Sequence, residues 1–160
     1  MNARDGRHDF DFLFGRWHVR NRRLREPLAH SDDWYEFDAT STEEPLLGGL
    51  ANLERYDAPL APQRPIHAIA VRLYDEASAL WNIFWSRAGS GRFEIPTVGR
   101  FENEIGTFYA REEYAGRPIE VRFLWTHDGP SSCRWEQAFS ADGGEAWEIN
   151  WIMEFRRASE

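Results

Sequence analysis

From residue 15 onward the chain repeats one small pattern. Apolar and polar side chains alternate over short runs, and Gly, Pro, Asp or Ser closes each run about every ten to fifteen residues. The alternation predicts about ten strands, over 15–25, 33–43, 50–56, 66–75, 79–87, 96–103, 106–114, 118–127, 132–140 and 146–156. No segment carries the spacing of an amphipathic helix, and Phe10 to Phe14 predict only a helical turn before the first strand. The loop D-A-P-L-A-P-Q-R-P (57–65) is the nearest thing to a linker, so residues 1–160 are expected to form one domain.

Turn chemistry predicts which residues share a face. Ala115-Gly116 as a two-residue turn sets Arg111 opposite Glu120, Tyr109 opposite Arg122, Phe108 opposite Phe123 and Ala110 opposite Val121. A loop through Glu76, Ala77 and Ser78 aligns His67, Ile69, Val71 and Leu73 with Arg87, Trp85, Ile83 and Trp81. A bulged loop at D-G-G-E brings Cys133, Trp135, Gln137 and Phe139 onto one face with Trp147, Ile149, Trp151, Met153 and Phe155, and sets Arg134 near Glu154. On the first strand Trp17, Val19, Asn21 and Arg23 point one way, and Arg16, His18, Arg20 and Arg22 the other. An open sheet with this much apolar surface would aggregate. The expected fold is therefore all-β, an antiparallel up-and-down barrel of about ten strands with a short N-terminal helical turn.

Composition supports a bulky interior, since aromatic residues make up 15% of the chain and eight are tryptophan. A net charge of −8 opposes nucleic acid. All 19 basic residues are arginine, which suits bidentate anion contacts but also follows from a GC-rich coding bias. Residues 1–8 are polar and no 18-residue apolar run exists, so neither a signal peptide nor membrane insertion is expected. The lone Cys133 makes no internal disulfide, and a cytoplasmic location is expected.

Gly15-Arg16-Trp17 resembles the G-x-W signature of lipocalins and the wider calycin superfamily. The resemblance implies that Trp17 packs at the closed end of a barrel and that Arg156 or Arg157 lies across it. F-D-F-L-F-G-R-W (10–17), V-G-R-F-E-N-E-I-G-T-F-Y (98–109) and R-W-E-Q-A-F-S-A-D-G-G-E-A-W-E-I-N-W (134–151) are similar to bacterial lipocalin-like domains of unknown function labelled DUF1579. That likeness implies a fold and no substrate. The haem-binding nitrobindins share the glycine-x-tryptophan strand. They continue with a glycine-rich step and supply a histidine near the C-terminus, whereas here His18-Val19-Arg20 follows Trp17 and no histidine follows His127, so haem is disfavoured. Ser140 to Trp147 resembles one Asp-box, a motif that propellers carry in several copies; a single copy implies a hairpin fixed by Asp142.

Candidate chemistry is sparse. The acid pairs Asp9/Asp11, Asp32/Asp33, Glu43/Glu44 and Glu112/Glu113 read as solvated surface, because strand neighbours point to opposite faces. The five histidines have no metal spacing, so no metal site is expected, and Cys133 sits in an apolar set that favours an inert thiol. A-G-S-G-R (88–92) reads as a hairpin at a barrel mouth. His67, Glu112, His127 and Gln137 interrupt the predicted apolar faces, and Trp85, Trp125 and Trp135 share those faces. These seven are the predicted ligand-binding residues of a barrel that takes a small hydrophobic or aromatic molecule. Two alternatives stay open. One is a barrel enzyme of isomerase, cyclase or dehydratase type using a cavity histidine or carboxylate. The other is a filled barrel that acts through its outer surface as a homodimer.

Overall fold

The computed structural model describes residues 4–159. Ten strands follow one another: β1 (Gly15–Leu24), β2 (Trp34–Leu46), β3 (Ala51–Ala58), β4 (Ile66–Asp75), β5 (Leu80–Arg87), β6 (Thr97–Glu102), β7 (Ile105–Tyr114), β8 (Arg117–His127), β9 (Ser132–Ser140) and β10 (Glu148–Arg157). Each pairs antiparallel with its sequence neighbour, and β1 also pairs with β10, which closes the sheet into a barrel with no free edge. This is the expected up-and-down architecture. A 3-10 turn at Asp11–Leu13 supplies the helical turn before β1.

One end of the barrel is sealed. The segment before β1 folds beneath the strands and buries Phe10 and Leu13. Three bonds tie it there: Trp17 Nε1 donates to the Leu13 carbonyl at 2.7 Å, Trp81 Nε1 to the Gly6 carbonyl at 3.0 Å, and the Gly6 amide to the Tyr74 hydroxyl at 2.8 Å. Phe10 meets Trp81, Phe101 and Trp125 edge to face, a geometry that favours aromatic pairs. Between the two arginines open in the sequence, Arg157 makes the lock. Its guanidinium lies 4.1 Å from the Trp17 ring and donates to the carbonyls of Phe12, Phe14 and Pro130. Arg156, one residue earlier, points to the exposed outer face, as strand alternation requires. Gly15 is needed twice over. Its φ is +118°, and a Cβ there would lie 2.6 Å from Arg157 Nη1. At Gly99 the constraint is a close approach, since a Cβ would meet the Thr107 carbonyl at 1.9 Å.

The β7–β8 register follows the predicted pairs, and Arg134 stands opposite Glu154. Two registers differ from expectation. The β4–β5 turn closes Asp75 on Leu80, so Ala70 faces Trp85 and Arg72 faces Ile83. This one-residue slip turns Ala68, Ala70, Arg72 and Tyr74 inward and puts His67, Ile69, Val71 and Leu73 outside. In the last hairpin the irregularity lies within β10, between Ile149 and Trp151, and the loop carries no odd residue. The bulge buries both Asn150 and Trp151 and leaves Trp147 outside, beneath Arg122 at 4.6 Å. Asp142 holds that hairpin as the Asp-box resemblance implies, accepting from the amides of Glu145 and Ala146.

Arg157→Ala is expected to lower stability by about 2 kcal/mol in urea denaturation, because it removes charged hydrogen bonds and a cation-π contact at the seal. Arg156→Ala, at an exposed position, should change it by under about 0.5 kcal/mol.

Candidate functional site

Above the sealed floor the inner face carries a buried ion network that alternation alone does not reveal. Arg72 on β4 is 2% exposed in a barrel lined by aromatic rings. A lone guanidinium there would be prohibitive, and the two neighbouring strands supply its partners. Arg72 Nη1 donates to Glu43 Oε2 of β2 at 2.8 Å and to Asn52 Oδ1 of β3 at 2.9 Å, while Nη2 donates to Glu54 Oε2 of β3 at 2.6 Å. Ser41 Oγ donates to the other Glu54 oxygen at 3.1 Å. The Phe10 and Trp125 rings stand 5.0 and 5.4 Å from the guanidinium carbon. Glu43 had read as half of a solvated acid pair. It is buried instead, because odd positions on β2 face inward: Phe37, Ala39, Ser41 and Glu43.

Two carboxylates and one guanidinium leave a net negative charge if every group is ionised. Burial pushes the Glu43 carboxyl well above its ordinary range, Arg72 pulls it back only in part, and Glu54, directly across the β2–β3 ladder, adds to the rise. Burial opposes the charge of Arg72, yet Glu43 and Glu54 outweigh it and raise the guanidinium pKa. Burial and Glu54 thus favour the neutral form of Glu43, while Arg72 favours its charged form.

A second polar layer lies nearer the open end. Tyr56 Oη and Trp151 Nε1 both donate to Asn21 Oδ1, at 2.7 and 3.0 Å, and Asn21 is fully buried as its place on β1 implies. Burial raises the Tyr56 phenol, which stays protonated and remains a donor. Between these layers and the open end lies a cavity of about 240 Å³. Trp85, Trp125, Trp135 and Trp151 wall it, Arg72 and Glu54 sit at its base, and Glu112 and Gln137 stand nearer the opening. On two of the lining residues a donor, Arg72 Nε and Trp125 Nε1, is buried without a hydrogen-bond partner among the described residues. The cavity continues into a mouth of about 440 Å³ that shares Arg23, Ile66, Arg87, Tyr114, Gln137 and Phe139 with it.

Five of the seven predicted site residues are thus brought together: Trp85, Glu112, Trp125, Trp135 and Gln137. The other two are not. His67 is exposed on the outer face, 2.7 Å from Asp57, because the β4 register runs one residue away from the expected one. His127 lies at the floor end of β8 and stacks on Phe12 at 4.4 Å, outside the cavity. Gln137 spends its amide on Asn150 at 2.8 Å. Burial raises the Glu112 carboxyl, and the nearby Glu94, on the loop after β5, adds to the effect. Cys133 is buried and its thiol is pushed up to about 12, chiefly by burial, as an inert packed thiol would be.

Sequence reasoning missed Arg72 and Glu54 as cavity residues and Glu43 as their buried partner, and it placed Arg23 on the inward face of β1 without giving it a role in the site. The available signal was the pair of alanines on β4, Ala68 and Ala70. Small residues opposite Tyr56 and Trp85 belong inside a barrel crowded with rings. Among the described residues no histidine lines the cavity, so it offers haem no imidazole ligand. Among the described residues no cluster of three or more His, Cys, Asp or Glu side chains could hold a metal ion, and no helix is long and apolar enough to cross a membrane.

No family profile matches the chain, and no curated protein matches it. Solved structures do. The S-type phycobiliprotein lyase CPES from Guillardia theta superposes with a TM-score of 0.58 at 11% identity, over 94% of this chain and 91% of the lyase. Rv2717c from M. tuberculosis gives 0.58 at 11% identity, over 99% of this chain and all of that one. A redesigned β-barrel gives 0.51 at 10% identity over 99% of this chain and all of its own. At such identities the likeness is one of fold.

Arg72→Met should destabilise the barrel by about 3–5 kcal/mol, since it strands a buried carboxylate, and Glu54→Gln on that background should recover part of the loss. Glu43 has a raised folded pKa, so folding takes up a proton above the ordinary carboxyl value of 4.5. Its contribution is intact below that pH and falls as pH rises. Glu43→Gln is therefore expected to gain stability relative to the parent as pH increases from about 5 to about 8 in urea titrations.

Proposed function

We propose that this protein binds a small molecule with a flat aromatic or acyl portion inside the barrel. The observation that carries the reading is the 240 Å³ cavity, closed at one end, walled by four tryptophans and lined also by Arg72, whose Nε, like Trp125 Nε1, has no hydrogen-bond partner among the described residues. Flat apolar walls favour rings or chains, and the unpartnered Arg72 Nε and Trp125 Nε1 favour an acceptor such as a carbonyl or ether oxygen at the buried end. The shared fold of a phycobiliprotein lyase supports this only as far as the scaffold goes. Membership of the lipocalin-like DUF1579 domains, a bacterial origin and a cytoplasmic location are part of the same proposal, and they rest on the sequence segments quoted above and on the lone Cys133.

Binding ranks above catalysis because a proton-transfer site of the type considered would bring a histidine and a carboxylate together, and no histidine lines the cavity. A second reading has one observation in its favour. Leu53, Val71 and Phe84 stand side by side across β3, β4 and β5 on the outer face, with the exposed Ile69 and Leu73 beside them. Such a row suits a homodimer contact. Under that reading the protein sediments as a dimer and Val71→Arg makes it a monomer.

Native mass spectrometry of protein purified from its own host is expected to show a reproducible bound small molecule. Ala70→Phe, which projects a ring into the cavity beside Trp85, should abolish that mass while the barrel keeps a single cooperative melt. The absence of any bound mass, together with no uptake of aromatic probes, would sink the proposal.

A further inference from the structure

The net charge of the chain is −8, yet the open end of the barrel is basic. Four arginines line the mouth: Arg23 at the end of β1, Arg25 just beyond it, Arg64 on the loop before β4, and Arg87 at the end of β5. Arg25 is paired with Asp33 at 3.0 Å. The other three form no ion pair among the described residues, although most outer-face arginines on the strands do, as with Arg20, Arg55 and Arg134. Arg23 lays its plane 4.1 Å over the Trp151 ring, which leaves the edge donors of its fork free. Arg87 has one weak contact, to the Pro65 carbonyl at 3.5 Å. All three line the same mouth, and burial, then the like charges of Arg64 and Arg23, hold the Arg87 guanidinium below its ordinary range.

The floor offers an anion nothing comparable. Arg72 is already matched by Glu54 and Glu43, and a further negative charge there would meet Glu54 at close range. Charge therefore sorts the two ends of the cavity, with a neutral acceptor at the base and an anion at the mouth. We infer that Arg23, Arg64 and Arg87 form a subsite for the carboxylate of an aromatic or acyl acid whose apolar part lies among the tryptophans. This rests on the binding reading above and names the class of ligand. Glu94 lies beside the subsite and makes no ion pair within 4.0 Å among the described residues; burial raises its carboxyl, and Arg23, Arg87 and Arg92 draw it back. The ligand carboxylate competes with it for the same cations.

The test is calorimetry on the full chain with three probes of one skeleton: 2-naphthylacetate, 2-naphthylacetamide and 2-(2-naphthyl)ethylamine. The acid should bind at least about tenfold tighter than the amide, and the amine weakest, in keeping with charged hydrogen bonds. Arg87→Met and Arg23→Met should each cost the acid about tenfold and leave the amide unchanged. Arg64→Met, on an exposed loop, repeats the test where folding is not at stake, and Glu94→Gln should tighten the acid alone. Equal binding of acid and amide, or equal losses of both in the arginine variants, would overturn the inference while the cavity reading stands. Binding of none of the three probes to the parent would overturn both.

Discussion

A guanidinium held inside a barrel of aromatic rings is the constraint to which the rest of this structure answers. Desolvating Arg72 costs several kcal/mol, and that cost is offset only if both faces of its fork find acceptors. The acceptors come from the two preceding strands, so the register of β2, β3 and β4 is fixed by chemistry as well as by apolar alternation. Glu43 and Glu54 face each other across the β2–β3 ladder, an arrangement that repels when both are charged. Burial, together with that repulsion, raises the Glu43 carboxyl, and Arg72, bonded to both carboxylates, draws it back. A one-residue slip of β4 would turn Arg72 into solvent and leave Glu54 buried without its cation.

The same network sets the depth of the cavity. Below it the N-terminal segment packs Phe10 against Trp81, Phe101 and Trp125, and Arg157 clamps that segment through three carbonyls, so nothing enters from the floor. Above it the space exists because β4 presents Ala68 and Ala70 toward Tyr56 and Trp85. Larger aliphatic residues at those two positions would have filled it, and the chain puts them on the outer face of the same strand, at Ile69, Val71 and Leu73. Cavity and floor are thus two outcomes of one register.

Strand positions, barrel closure and the inward set of β1 were legible because each rests on local information: alternation, turn residues, and the incompatibility of a long apolar edge with water. Trp17, Val19 and Asn21 are buried on β1 as alternation requires, and only the choice between Arg156 and Arg157 needed coordinates. Glu112 and Trp125 followed from the β7–β8 register, which was right, and Trp85, Trp135 and Gln137 from alternation along β5 and β9, which put them on the inner face although the partner registers differed. Two of the failures share one cause. On β4 both faces are apolar, so the larger aliphatic side chains were assigned to the core, and only the volume demanded by rings on neighbouring strands reverses that choice. His67 was misplaced and Arg72 missed by the same slip. Glu43 was misread because its partner lies 29 residues away, on a strand whose register had to be known first.

Electrostatically the barrel has a direction. The outer face is crossed by ion pairs such as Arg20 with Glu36 and Asp38, which neutralise one another locally. The interior base holds Arg72 between two carboxylates, and at the mouth Arg23, Arg64 and Arg87 form no ion pair among the described residues. In a low-dielectric well bounded by rings, field lines from Arg23, Arg64 and Arg87 leave through the opening instead of spreading through the protein. The net charge of −8 repels anions in general, so the arginines of the mouth act against the field of the rest of the chain, and their attraction is felt only at short range.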